Sequence, residues 1–416
     1  MSENKAALHS AFWGLVLPAA AILMVTMGSR QSAGLFVSPL NTATGIGVVG
    51  ISLALAVGQL VWGLSQPVFG ALADRFGPIP ILVFGGLLLA FGTALTPLMT
   101  SQAGLIVSWG VLTAAGAGAA SFSILIGASA QRLPAERSSV AAGIINAGGS
   151  LGQFVFAPIT ERLIALAGWV NAMYALAALS LLTLPLALGL RRRPAAETAA
   201  TAKAAASAAA GVPIETLAAQ VRRALRDPSY LCLHAGFFTC GFHIAFLVTH
   251  LPSEVSLCGL PTTVSGISIA IIGLANIAGS LGAGALGTRY RMKYLLAWMY
   301  FSRAVVVLLY MAAPKTALTF YVFAVALGLT WLATVPPTAG IVGKLFGVRY
   351  LATLFGLTLV SHQVGGFFGA WLGGIALSRT GDYQWMWIAD AVLAVLAALI
   401  NLPIRESRPR ARTAAL

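Results

Sequence analysis

The chain has 416 residues, 58% of them hydrophobic and only 9% charged, with a mean hydropathy of +0.89. An average soluble chain is about 25% charged, so a soluble globular protein is excluded. The net charge of +14 does not point to a nucleic-acid partner, because the basic residues lie between apolar stretches and not on one soluble face.

Apolar windows of about 20 residues, the length that crosses ~30 Å of hydrocarbon, recur from end to end. The predicted spans cover 12–37, 48–72, 81–99, 103–127, 139–164 and 169–190, then 230–251, 263–286, 294–313, 318–342, 351–377 and 386–404. Span 1 is too long for a signal-peptide core and lacks a small-residue cleavage site, so it is expected to remain in the membrane. Twelve spans place both termini on one side, and that side carries 20 of the 25 Lys and Arg residues. Positive-inside then predicts a multi-pass protein of a bacterial inner membrane with both termini cytoplasmic. Cys232, Cys240 and Cys258 have neither disulfide nor metal-ligand spacing, and no cofactor is expected.

Three regions follow: a six-helix bundle over 1–190, a cytoplasmic linker over 191–228, and a second bundle with a basic tail over 229–416. The linker opens on Arg191, Arg192 and Arg193 and continues as an alanine-rich tract that cannot bury a core. Its end places Ile214, Leu217, Ala218, Val221 and Leu225 on one helical face, as in an interfacial helix; a short solvated helix is the alternative.

The two bundles repeat one another. Gly28, Arg30 and Pro39 recur 213 residues later as Gly241, His243 and Pro252. Gly70-Ala71-Leu72 returns as Gly284-Ala285-Leu286, and Gly143 and Gly152 return as Gly356 and Gly365. Offsets of 213 or 214 in three span pairs predict parallel six-helix repeats, with a site between them near the midplane.

The segment Gly70-Ala71-Leu72-Ala73-Asp74-Arg75-Phe76-Gly77 resembles the loop 2/3 signature of the major facilitator superfamily. That resemblance implies an all-α membrane protein of twelve helices, with Asp74 and Arg75 latching the inner ends of the halves and the acid near a helix N-terminus. Arg30-Gln31-Ser32-Ala33-Gly34-Leu35-Phe36, Gly148-Gly149-Ser150-Leu151-Gly152 with Pro158, and Gly365-Gly366-Phe367-Phe368-Gly369 before Gly381-Asp382-Tyr383 are similar to bacterial relatives of the monocarboxylate transporters and oxalate/formate antiporters. The resemblance puts Arg30 where monocarboxylate transporters carry a cation in span 1. Span 8 lacks the Asp and Arg that those transporters use, and span 4 lacks the arginine of proton-driven drug antiporters. No phosphate loop, nucleophile elbow or metal cluster is present, so neither ATP coupling nor catalysis is expected.

Charged groups inside the spans mark the candidate site. A guanidinium within hydrocarbon costs several kcal/mol unless compensated, and the nearest acids, Asp390 and Glu161, are few. A substrate carboxylate, held bidentately, is the economical partner for Arg30; a structural Arg tied to helix-end carbonyls is the alternative. His243, the repeat image of Arg30, is the candidate second contact and proton carrier, with His250 on the same face. Arg303 is assigned to packing, with Asp390 as a candidate mate. Gln31, Ser121, Phe122, Asn146, Trp331, Thr334 and His362 complete the expected substrate site, and Gln153 is a further candidate cavity residue. The expected function is secondary transport of a small organic anion by a monomer in lipid, coupled to a proton or a counter-anion. Efflux of amphipathic compounds and a transport-dead sensor are the alternatives.

Overall fold

The computed structural model describes residues 2–190 and 215–406. Most of the predicted linker, Ile214 included, and the end of the basic tail lie outside the described residues. The described residues are all-helical, with eleven helices long and apolar enough to cross a membrane and one shorter apolar helix, Ala317–Gly328. The spans are α1 (Ser2–Gln31), α2 (Val48–Phe76), α3 (Pro78–Leu95) and α4 (Gln102–Ala130). Helices α5 and α6 run through Ala135–Ser180 and meet at Gly168, whose φ of 80° only glycine adopts cheaply; α6 ends with Thr183–Gly189. The second half contains α7 (Pro228–Leu257), α8 (Thr262–Leu286), α9 (Met292–Ala312), α10 (Ala317–Gly328 and Val335–Phe346), α11 (Leu351–Thr380) and α12 (Gln384–Asn401).

Glycine seams set the packing within each half. A Cβ at Gly152 of α5 would lie 2.1 Å from the Met24 carbonyl oxygen of α1, and one at Gly241 of α7 would lie 1.7 Å from the His362 carbonyl oxygen of α11. Gly365 and Gly369 of α11 meet the carbonyls of Phe238 and Phe242 just as closely. Without hydrophobic drive between helices in lipid, such close backbone approach is what holds them together.

Span 10, expected as one helix, is two helices of 12 residues with a turn between them. Pro336 and Pro337 have no N–H to offer the carbonyls one turn back, so the helix cannot continue through 329–334. Side chains satisfy the freed groups. Arg303 Nη2 donates to the carbonyls of Thr330 at 2.7 Å and Trp331 at 3.2 Å, and Leu332 N donates to Asn276 Oδ1 at 2.9 Å. The Leu332 carbonyl accepts from Asn146 Nδ2 of the other half at 2.8 Å. The repeat carries this feature: α4 is interrupted at Ala120 and Ser121, and the Ala120 carbonyl accepts from Thr26 Oγ of α1 at 3.2 Å. Helix α1 also stops short of the predicted end of span 1, giving way after Gln31 to Ala33–Phe36 and Val37–Thr44.

The short linker helix Leu217–Ala224 is capped by Thr216 and lies against the end of α10, where Gln220 donates to the Phe346 carbonyl. Its buried stripe is Gln220, Val221 and Ala224. Leu225, expected on that stripe, points outward at 47% exposure, because the helix docks on protein through the neighbouring face.

Candidate substrate site and gates

Arg30 occupies the last turn of α1, where the helix dipole favours a cation. Its Nη2 donates to Gln59 Oε1, and its guanidinium lies over the Trp62 ring, 4.2 Å from the centroid. Gln59 and Trp62 are three residues apart on one face near the middle of α2, which places the charge close to mid-depth. Among the described residues Arg30 has no acidic partner. The Glu161 side chain lies outside the described set. Trp62 is itself held edge-on by Phe122, with centroids 6.5 Å apart. Gln31, next to Arg30, is partly buried.

Helix α11 approaches this cluster from the other half. Gln363 lies against Gly63 of α2, with His362 next to it in the chain. His362 is 7% exposed, packs against Phe237 with centroids 5.0 Å apart, and has neither ring nitrogen hydrogen-bonded. Arg30, Gln59 and Trp62 thus form one cluster in the first half, against which α11 of the second half packs through Gln363. Gln59 was not found from the sequence. Its only signal is the spacing to Trp62 on a face opposite a charge, which needs the helix pairing to become visible.

His243 stands elsewhere, at the centre of α7 inside the second half. Both it and Asp390 are fully buried, with Nδ1 2.5 Å from Asp390 Oδ2. Asp390 is therefore the mate of His243 and not of Arg30 or Arg303. Trp331 lies beside the His243 ring, centroids 5.8 Å apart, and Thr334 meets Cys240 Sγ at 3.4 Å. His250, one face with His243, bonds the Ala370 carbonyl at 2.8 Å. Ser121 donates to Gln66 Oε1 at 2.9 Å. Gln153 borders an apolar recess with Leu247, Leu251, Ile269 and Trp331.

The hydrogen bonds that join the halves cluster between mid-depth and the face carrying Asp74. Asp74 Oδ2 accepts from Thr353 N at 3.0 Å and Thr353 Oγ at 2.7 Å in the first turn of α11, and Oδ1 accepts from Gln131 at 3.1 Å. Gln131 also donates to the Arg349 carbonyl at 3.1 Å. Across the pseudo-axis Ser139 donates to the Gly284 carbonyl at 2.9 Å. Deeper in, Asn146 donates to Ser280 Oγ at 2.7 Å and Asn276 to Ser150 Oγ at 2.5 Å, a reciprocal pair. The Asp74 face is closed. Arg75 is exposed, its guanidinium 5.1 Å from the Phe76 ring centroid.

Two helical bundles meeting around a polar cluster at mid-depth, joined on one face by hydrogen bonds, have the architecture of a membrane transporter. Residues 19–370 match the family described as Major Facilitator Superfamily, and the chain belongs to it. Its family and fold are those of transporters and not of enzymes. Monocarboxylate transporter 13 of Rattus norvegicus is 27% identical over 398 residues, covering 94% of this chain and 89% of that one. The oxalate:formate antiporter of Oxalobacter formigenes is 22% identical, covering 95% and 93%. The fujikurins efflux protein of Gibberella fujikuroi is 26% identical over 219 residues, covering 52% and 44%. The solved structure of the proton:xylose symporter XylE bound to 6-bromo-6-deoxy-D-glucose superposes with a TM-score of 0.71 at 13% identity, covering 96% and 97%.

Proposed function

We propose that the chain carries a small organic anion, a monocarboxylate in the first instance, with Arg30 as its anchor and a proton or counter-anion as the coupled species. The observation that carries this reading is a guanidinium near mid-depth whose partners are a neutral amide and an indole face and whose charge no acid among the described residues cancels. A carboxylate supplies the missing charge in a two-point geometry. His362 offers it an unbonded ring nitrogen from the opposite half. The relatives named for monocarboxylates and for oxalate and formate support the same class, whereas the efflux relative covers about half of this chain. With 20 of 25 basic residues on the Asp74 side, that face is cytoplasmic and the membrane is the bacterial inner membrane.

The test is a thermal-shift panel on the purified protein with short carboxylates and amphipathic cations. A ligand that binds the folded state raises its stability by about 2.7 kcal/mol at a hundred times its Kd. Carboxylates are expected to raise the melting temperature and cations to leave it unchanged; the reverse pattern would overturn the anion reading in favour of an amphipathic substrate. For coupling, His243→Gln is expected to spare substrate binding at low pH and to abolish the pH dependence of uptake into proteoliposomes. Retained pH dependence in the folded variant assigns the proton elsewhere.

A further inference from the structure

The second half contains a charged cluster whose hydrogen bonds are separate from those of Arg30, with His362 of α11 the residue between the two. Arg303, His243 and Asp390 are each fully buried near the middle of α9, α7 and α12. Buried charges at this depth are costly unless they are paired or functional. The cluster is incompletely paired. Arg303 Nε and Nη1, Asp390 Oδ1 and His243 Nε2 have no hydrogen-bond partner among the described residues. Arg303 and His243 both meet Trp331, one at its carbonyl at 3.2 Å and the other at its ring with centroids 5.8 Å apart, yet Arg303 makes no ion pair with Asp390, which His243 holds at 2.5 Å. Its Nη2 is committed to the Thr330 and Trp331 carbonyls in the unwound segment of α10.

We propose that His243, Asp390 and Arg303 form the proton site of the second half, and that Arg303 transmits the charge state of this site to the unwound segment of α10. The inference rests on proton coupling as proposed above but not on the identity of the substrate. The observed arrangement is the one that a protonated His243 favours. An imidazolium satisfies Asp390 as an ion pair, which leaves Arg303 free to hold the α10 carbonyls. When the proton leaves from Nε2, neutral His243 still donates one hydrogen bond through Nδ1, but the carboxylate charge then needs a cation. Arg303, already at the Trp331 carbonyl beside the His243 ring, is the buried cation available, and its two unbonded donors suit the unbonded Asp390 Oδ1. Drawing the guanidinium to Asp390 releases the Thr330 and Trp331 carbonyls. The next carbonyl along, that of Leu332, is the one Asn146 grips from the other half, so loosening 329–334 loosens a contact between the halves.

The remaining neighbours do not supply a competing charge. Around His243, α9 adds Tyr300, α7 itself adds Cys240, α10 adds Trp331 and Thr334, and α11 adds His362. Helix α8 contains no ionisable residue. Asp390 is thus the acid facing His243, and Arg303, which meets the Trp331 carbonyl beside the His243 ring, is the buried cation of this cluster.

The test is hydrogen–deuterium exchange of the purified, substrate-free protein at pH about 4 and about 8, a window that extends well below the ordinary imidazole value near 6.5. After correction for intrinsic exchange, peptides covering 329–334 in the wild type should be protected at the lower pH and exchange several-fold faster at the higher. Asp390→Asn removes the charge that attracts Arg303 and should stay protected at both. His243→Gln cannot become a cation and should exchange fast at both. Arg303→Gln should do likewise, without touching the His243–Asp390 pair. Wild-type exchange in this segment that ignores pH overturns the proposal, as does a wild-type pH response retained in His243→Gln. Because no substrate is present, these outcomes are independent of whether Arg30 binds carboxylates.

Discussion

Arg30→Ala is expected to weaken carboxylate binding by at least ~30-fold, because truncating one partner of a desolvated charge pair typically costs about 2–5 kcal/mol. The protein should remain folded. The side chain contributes one hydrogen bond to Gln59 and a stacking contact with Trp62, and neither is part of the glycine seams that assemble the half. A cation over an indole face contributes about 0.5–2 kcal/mol, small beside the packing of twelve helices. Arg30→Lys keeps the charge but loses the planar fork, so affinity should fall between the two extremes. Titration of each variant with the best carboxylate from the thermal-shift panel checks this. Unchanged affinity in folded Arg30→Ala protein removes the anion anchor and promotes efflux.

Asp74→Asn should act on the balance of conformations and leave the site intact. The carboxylate receives three hydrogen bonds, two of them from the first turn of α11 across the seam between the halves. An asparagine keeps one acceptor oxygen and turns an NH2 group toward donors. Losing a charge-assisted bond of this kind costs about 2 kcal/mol, or about 30-fold in the ratio of closed to open on this face. Substrate affinity should survive while turnover falls. Leu359, 2% exposed on the α2–α11 seam, provides the reporter: with Cys232 and Cys258 replaced by serine, Leu359→Cys should be labelled faster by a small thiol reagent in the Asp74→Asn background. Cys240 is fully buried and stays silent. Equal loss of binding and turnover in folded protein contradicts a latch role.

The fold was legible because each of its causes is local in the sequence. Span length, charge exclusion and a glycine offset repeated across the halves do not depend on which helix touches which. The site was legible only in part, since charge burial is local but partnership is not. Arg30 announced itself as a cation in an apolar run, yet Gln59 and Trp62 sit a helix away with nothing to connect them. His243 and Asp390 were both visible as polar groups in spans, but their pairing joins residues 147 positions apart. Glu254 was missed because span 7 was ended at 251. It is a buried acid that accepts from Tyr310 Oη at 2.6 Å and Trp387 Nε1 at 3.3 Å. The interruption of span 10 had a signal, the Pro336-Pro337 pair, which hydropathy averaging conceals because the flanking residues are apolar.

The glycine seams bear on how such a chain can diverge. Where a backbone lies within 2.2 Å of any added Cβ, as at Gly152, Gly241, Gly365 and Gly369, a larger residue must push two helices apart. Those positions are closed to substitution by geometry, whatever the cargo. The polar residues near mid-depth are attached to these seams but are not part of them. Selection can therefore exchange the chemistry of the cavity one side chain at a time while each half stays a rigid lever. A backbone whose close approaches fall on few positions leaves the others free to change, which suits a fold shared at a TM-score of 0.71 with 13% identity.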